Sequence, residues 1–346
     1  MKIIVTGAYG PSQEFDPLRE AGHEIALGRP VDQPARRPYT EEELVEWCRD
    51  AHVIMVSHLD TISRAVLEHA EQLRLVVVPF VGTDKIDVSA ATELGIIVAN
   101  SPAPQHFLGI AEATIGLMLA LLKRIKHNEA KLRRGEWAQR IDRGSLVAGK
   151  TIGFVGLGRV ATQVARRLQG WEVRLLAADP YVAPEKARPL GITLVALPAL
   201  LADSDVVSLH MTLTPKTRGM IGEKELRSMK RTALLINTAR GELVDEGALC
   251  QAIEEKRIAG VALDAYEEEP LPMDSRLRAL DPERVILTPH NAGHSEAGRL
   301  ANLKLAVEAT LNALRGEVPK HAVNPQAVAL WRQRFGGTKV GGMRPS

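Results

Sequence analysis

Short apolar runs alternate with helical patterns along almost the whole chain, and such alternation folds as parallel sheet with helices packed on both faces. Before residue 100 the runs are Ile3–Val5, Glu24–Leu27, Val53–Val56, Arg74–Val78 and Ile96–Ala99. A second series comprises Thr151–Val155, Val173–Ala178, Asp205–Leu209, Ala233–Asn237, Gly260–Asp264 and Val285–Thr288. Between the series lie a helix of about Ile110 to Arg134 and a loop around Gly144. The expected fold class is therefore α/β, as two doubly wound parallel-sheet units joined by a helix. A length of 346 residues suits two domains, and 45% apolar with 25% charged residues allows each a large core.

Charge and cysteine usage narrow the partners. The net charge is +2, with Lys and Arg scattered, so no footprint for nucleic acid or an anionic membrane is expected. Small ligands fit better. Cys48 and Cys250 stand alone without a C-x-x-C, which points to neither a disulfide framework nor a zinc site and suits a reducing compartment, the cytoplasm. No metal site is expected. Met1 to Gly7 reads as a strand, lacking the apolar core and cleavage site of a signal peptide. The longest apolar stretch, Ala113 to Leu122, falls short of the ~20 residues of a membrane span and reads as a buried helix. The tail after Pro325, with Gly336-Gly337 and Gly341-Gly342, reads as a weakly structured end.

The nucleotide signal is Gly156-Leu157-Gly158-Arg159-Val160-Ala161, preceded by a strand and followed by a helix with Val160, Ala161, Val164, Ala165 and Leu168 on one face. Gly156 permits the tight turn and Gly158 lets backbone approach a pyrophosphate, which the helix amino end attracts. The next strand ends at Asp179, about 20 residues beyond the glycines, where a carboxylate reads a ribose hydroxyl and repels a 2′-phosphate. NAD is favoured over NADP. The alternative is a glycine-rich turn with no ligand. Gly7-Ala8-Tyr9-Gly10 also follows a strand, but lacks the spacing and the later carboxylate, so it reads as a plain turn.

Arg240, Glu269 and His290 each fall just past the carboxyl end of a run in the second series. Those three runs read as neighbours in one parallel sheet, separated by a capped helix and then by a Pro-broken loop. Ligands of open α/β sheets bind outside the carboxyl ends of the strands, so a cation, a carboxylate and an imidazole would converge there.

These stretches together resemble the D-isomer-specific 2-hydroxyacid dehydrogenase family. The matching segments are Val81-Gly82-Thr83-Asp84-Lys85-Ile86-Asp87, Gly149 to Gly158, Asn237-Thr238-Ala239-Arg240-Gly241, Leu263 to Pro270 and Thr288-Pro289-His290. The resemblance implies a homodimer of chains with two Rossmann-like domains, the NAD domain inserted into the substrate domain. Residues 1–100 would open the substrate domain, 101–289 form the NAD domain with a connecting and dimerisation helix, 290–325 return to the substrate domain, and 326–346 form the tail. It also implies that Arg159, Val160, Asp179, Thr238, Ala239, Arg240, Asp264 and His290 touch the cofactor, and that Val81 and Gly82 offer backbone N–H groups to a substrate carboxylate.

The chemistry follows from the residue types. Hydride transfer to C2 of a 2-oxo acid leaves an alkoxide needing a proton, which His290 could supply and retrieve. Glu269 on its other ring nitrogen would favour the imidazolium. Arg240 would hold the substrate carboxylate and polarise the carbonyl. Glu267 and Glu268 compete with Glu269, and His210 and His294 with His290; His210 reads better as a cofactor-pocket wall. The expected activity is interconversion of a D-2-hydroxy acid and its 2-oxo acid. An NAD-sensing dimeric corepressor, or a dehydrogenase of a non-carbon acid such as phosphite, is the alternative; Glu269 disfavours a formate enzyme. Phe80 stands where the family has glycine, Thr212 where it has proline, and the loop 100–108 is one residue longer. Phe80, Gln105, His106 and Phe107 either line a side-chain pocket or pack that loop.

Overall fold

The computed structural model describes residues 1–7, 10–30 and 37–336. The chain divides into two compact units: Met1–His106 with Ser295–Ser346, and Phe107–His294 between them. The sequence reading drew these boundaries at 100/101 and 289/290. Ala8 and Tyr9 of the glycine turn and Gly337, Gly341 and Gly342 of the tail lie outside the described residues.

The first unit is built on β1 (Lys2–Val5), β2 (Glu24–Leu27), β3 (Val53–Met55), β4 (Leu75–Val77) and β5 (Ile97–Ala99). All pair in parallel, in the order β2-β1-β3-β4-β5. Side chains of a strand alternate between faces, so register sorts them. The row Ile3, Val53, Leu75 and Ile97 faces one core; Ile4, Ile54, Val76 and Val98 face the other. The first core is closed by the returning segment, through Leu303, Ala306 and Ala313 of the helix Glu296–Leu314 and through Trp331.

That last residue corrects the reading of a weakly structured end. Val328–Phe335 is a helix, its Trp331 ring fully buried and its indole N–H donating to the Arg74 carbonyl at 2.8 Å. Burying one such ring is worth roughly 3 kcal/mol or more, enough to order a short segment of weak intrinsic propensity.

The second unit carries β6 (Thr151–Val155), β7 (Arg174–Ala178), β8 (Ile192–Leu194), β9 (Val206–Leu209), β10 (Leu234–Asn237), β11 (Gly260–Leu263) and β12 (Val285–Leu287). Their order is β12-β11-β10-β9-β6-β7-β8, again all parallel. The strands bearing Arg240, Glu269 and His290 are thus adjacent. The interval between β10 and β11 holds the helix Glu246–Glu254, capped by Asp245; the next holds a one-turn helix, Arg276–Ala279, in the loop. Val207, Leu235 and Val261 face one core and Ile152, Leu175, Val206 and Leu234 the other.

Two further elements differ from expectation. The edge strand β8 was not anticipated. The single helix expected from Ile110 to Arg134 is two, Pro104–Leu122 and Ile125–Arg133, broken at Arg124, whose φ is 52°. A left-handed residue cannot continue a right-handed helix. The first of these runs longer than its apolar stretch. Among the described residues it is the one helix with the length and composition to cross a membrane, while Ala111, Thr114, Ile115, Leu117, Met118, Leu121 and Leu122 along it are buried in protein.

Candidate active site

Arg240, Glu269 and His290 sit on three turns at the carboxyl edge of the second unit's sheet. Asn237, fully buried at the end of β10, shapes the first turn with its own amide: Nδ2 donates to the Arg240 carbonyl at 2.7 Å and Oδ1 accepts from the Ala239 N–H at 3.0 Å. Such local side-chain bonds make a strand end into a defined turn.

The imidazole and carboxylate meet directly. His290 Nδ1 lies 2.8 Å from Glu269 Oε1 and 2.7 Å from Oε2. An ionised carboxylate only accepts, so Nδ1 carries the proton of this bond and Nε2 is left to face a reactant. Burial disfavours the charged Glu269, but His290, then the Tyr266 amide and Arg240, outweigh it and hold its pKa below the usual carboxylate range. Glu267 and Glu268 are exposed, and the Glu267 N–H is tied to Glu246 at 2.7 Å. The partner of His290 is Glu269.

His290 has φ 51°, a left-handed conformation that costs a non-glycine residue on the order of 1 kcal/mol. Its surroundings impose it. Asp264, 5% exposed, accepts from Thr288 Oγ1 at 2.6 Å, from Asn291 N–H at 3.0 Å and from Ala292 N–H at 3.1 Å. Tyr266 reinforces the clamp: its hydroxyl donates to the Thr288 carbonyl at 2.8 Å and its N–H to Glu269 Oε1 at 3.0 Å. Burial and the Asp264 charge push the Tyr266 phenol up to about 12, so it stays a donor. Sequence spacing gave no sign of Tyr266 as the residue bridging two turns.

The glycine turn fits a dinucleotide. Gly156 has φ 89°, and a Cβ there would meet the His210 carbonyl at 3.0 Å, so neither conformation nor space admits a side chain. A Cβ on Gly158 would meet nothing within 4 Å, leaving open space above the turn. The helix Arg159–Arg167 starts with no side-chain cap and no acidic residue in its first turn, so its N–H donors and partial positive charge await an anion. Asp179 Oδ2 accepts from the Leu157 N–H at 2.8 Å and Oδ1 from the Tyr181 N–H at 2.9 Å, which fixes the carboxylate beside the turn. The Arg159 guanidinium lies 5.1 Å from the Phe107 ring centroid. Phe107 thus supports the residue at the helix start, a role outside the two weighed from sequence. Val160 follows on the same helix.

Two more residues edge the site. Burial pushes the His210 imidazole down to about 3, and Ser208 Oγ lies 2.9 Å from its Nε2. A ring neutral at every physiological pH is a wall rather than an acid. The His294 ring loses enough of its water to neighbouring groups that its pKa is lowered, with His290 adding to the shift, whereas the imidazole bonded to Glu269 is that of His290. Among the described residues no group of three or more His, Cys, Asp or Glu is placed to share a metal ion. In the first unit, Val81 and Gly82 follow β4; the Val81 carbonyl accepts from Asn100 Nδ2 at 2.9 Å and the Phe80 carbonyl from the Ser101 N–H at 2.8 Å. The Phe80 ring packs against that unit's core.

Residues 115–292 match the family model described as D-isomer specific 2-hydroxyacid dehydrogenase, NAD binding domain. The chain is 40% identical over 325 residues to a D-3-phosphoglycerate dehydrogenase of Methanocaldococcus jannaschii, with 94% of the chain covered, but it spans only 59% of that relative's length. It is 38% identical to a glyoxylate reductase of Korarchaeum cryptofilum, covering 85% of the chain and 89% of the relative. The crystal structure of the TT0316 protein from Thermus thermophilus superposes with a TM-score of 0.83 at 33% identity, covering 93% of this chain and all of that one. With its glycine turn, the carboxylate fixed beside that turn and three turns on one sheet edge, the chain belongs to the D-isomer specific 2-hydroxyacid dehydrogenase family.

Proposed function

We propose that this chain interconverts a D-2-hydroxy acid and its 2-oxo acid. The observation that carries the reading is the His290–Glu269 pair, held at 2.7 Å at the carboxyl edge of an NAD-binding sheet and next to the strand that bears Arg240. NAD, when bound, supplies or receives the hydride.

The protein's residues handle the proton and the charge. In the reductive direction His290 Nε2 gives its proton to the carbonyl oxygen of the 2-oxo acid as C2 is reduced; in the oxidative direction it takes that proton back. Glu269 keeps the ring oriented and balances the imidazolium. The Arg240 fork holds the substrate carboxylate and draws electron density toward the carbonyl oxygen. By the family resemblance, the Val81 and Gly82 N–H groups of the first unit are donors to a substrate carboxylate. Gly156, Gly158, Arg159, Val160, Asp179, Thr238, Ala239 and Asp264 hold the dinucleotide.

The working form is a homodimer of cytoplasmic chains. Ile125, Leu132, Trp137, Ile141 and Leu146 are all exposed within one short stretch, and a second copy of the same stretch would cover them. The two buried cysteines, unpaired, suit a reducing compartment.

A spectrophotometric screen of 2-oxo acids with NADH tests the activity. Turnover of at least one small 2-oxo acid to the D-isomer is expected. NADH binding without turnover of any acid would replace this reading with NAD sensing. Light scattering of the purified chain reads the dimer.

A further inference from the structure

Thr114 and Thr238 lie 124 residues apart and share a hydrogen bond of 3.0 Å within the second unit. Thr114, 2% exposed, sits on the helix Pro104–Leu122 with its hydroxyl 2.8 Å from the Ile110 carbonyl oxygen. A carbonyl carries no proton, so across that distance the Thr114 hydroxyl donates. A hydroxyl has one proton to give. At the contact with Thr238, Thr114 therefore accepts and Thr238 donates. With its proton committed inward, Thr238 Oγ1 meets any ligand with lone pairs alone.

The place of Thr238 says which ligand. It follows β10, which is separated from β6 by β9, on the side of the sheet away from β7 and Asp179. A dinucleotide lies across the switch point between its two halves, so a residue past β10 faces the nicotinamide half when Asp179 faces the adenosine ribose. Resting on the NAD-dependent reading above, we propose that the Thr238 hydroxyl is a fixed acceptor for an N–H or O–H of the nicotinamide half, and that Thr114 is the positioning residue that makes it so. The relay runs one way, from ligand to Thr238, to Thr114, to the Ile110 carbonyl. The donor is the carboxamide N–H or a hydroxyl of the neighbouring ribose.

Dissociation constants for NADH and for its 3-acetylpyridine analogue, whose methyl ketone has no N–H, test the proposal by fluorescence titration of the full chain. Thr238→Val should weaken NADH about 3- to 10-fold, the worth of one hydrogen bond. Thr114→Val, which releases the Thr238 proton to face a donor, should weaken NADH by a similar factor. Thr238→Ser and Thr114→Ser keep both hydroxyls and should bind within about twofold of wild type, separating the relay from packing. A loss in Thr238→Val confined to NADH assigns the carboxamide; an equal loss for both nucleotides assigns the ribose hydroxyl. Either valine variant binding NADH as tightly as wild type, with an unchanged melting temperature, overturns the relay. A valine variant that melts early is replaced by alanine at the same position and judged by the same limits. Wild type failing to bind NADH would instead refute the cofactor reading.

Discussion

Gly241 lies against the Tyr266 backbone so closely that a Cβ would overlap the Tyr266 carbonyl carbon. The residue before Gly241 is Arg240, and Tyr266 donates its N–H to Glu269 and its hydroxyl to the Thr288 carbonyl, two residues before His290. One contact therefore sets the spacing of all three turns. Gly241→Ala should push the Arg240 turn away from the other two, and a displacement on the order of 1 Å near the chemistry costs about 10²-fold in turnover. Steady-state kinetics with the best 2-oxo acid reads this. A variant with wild-type kcat/KM would show that the contact is slack.

His290→Ala removes the proposed proton donor and leaves Glu269 without its imidazole partner. Turnover should fall about 10²- to 10⁴-fold, the usual worth of a positioned acid or base, with NADH affinity nearly kept. Retention of more than a third of wild-type kcat would exclude His290 from proton transfer.

Glu269→Gln tests the charge behind the ring. Despite its burial, the carboxylate is held ionised, below the usual carboxylate range, by His290, the Tyr266 amide and Arg240. Glutamine keeps the shape but loses the charge that holds the ring in place, so kcat should fall about 10- to 100-fold, the worth of a charge-assisted hydrogen bond, with NADH affinity nearly kept. A kcat equal to that of wild type sinks the pairing.

Asp179 is fixed beside the glycine turn by the Leu157 and Tyr181 N–H groups. The 2′-phosphate of NADP would bring like charge against it, at a cost of roughly 10²-fold or more in preference. Wild type should favour NADH clearly, and Asp179→Ser should narrow the ratio of kcat/KM between NADH and NADPH. Arg174, engaged with Asp203 at 3.3 Å, is not placed to receive the phosphate. An identical ratio in both proteins would show that Asp179 does not read the ribose.

Most strands were legible because both faces of each sheet are buried, which writes near-continuous apolar runs between turn residues. β8 escaped because only Ile192 of its three residues is buried, an edge position with little apolar signal. The break at Arg124 left no mark either, since no glycine or proline announces it. The helix Val328–Phe335 was missed for a related reason: its one fully buried residue, Trp331, gives no periodicity. The placement of Arg240, Glu269 and His290 past three adjacent strands was readable from strand ends and motifs. The Thr114–Thr238 bond and the Tyr266 clamp were not, because each joins residues whose proximity exists only after the sheet has formed.

Trp331 has a consequence for the order of events during synthesis. The five strands of the first unit leave the ribosome before the second unit, yet the core on one of their faces is closed by Leu303, Ala306, Ala313 and Trp331, which leave after it. The second unit, continuous from Phe107 to His294, has all its strands available before that closure. The first unit is therefore begun before the second and closed after it, and until Trp331 arrives one face of its sheet stays open to water and to any chaperone that binds apolar surface.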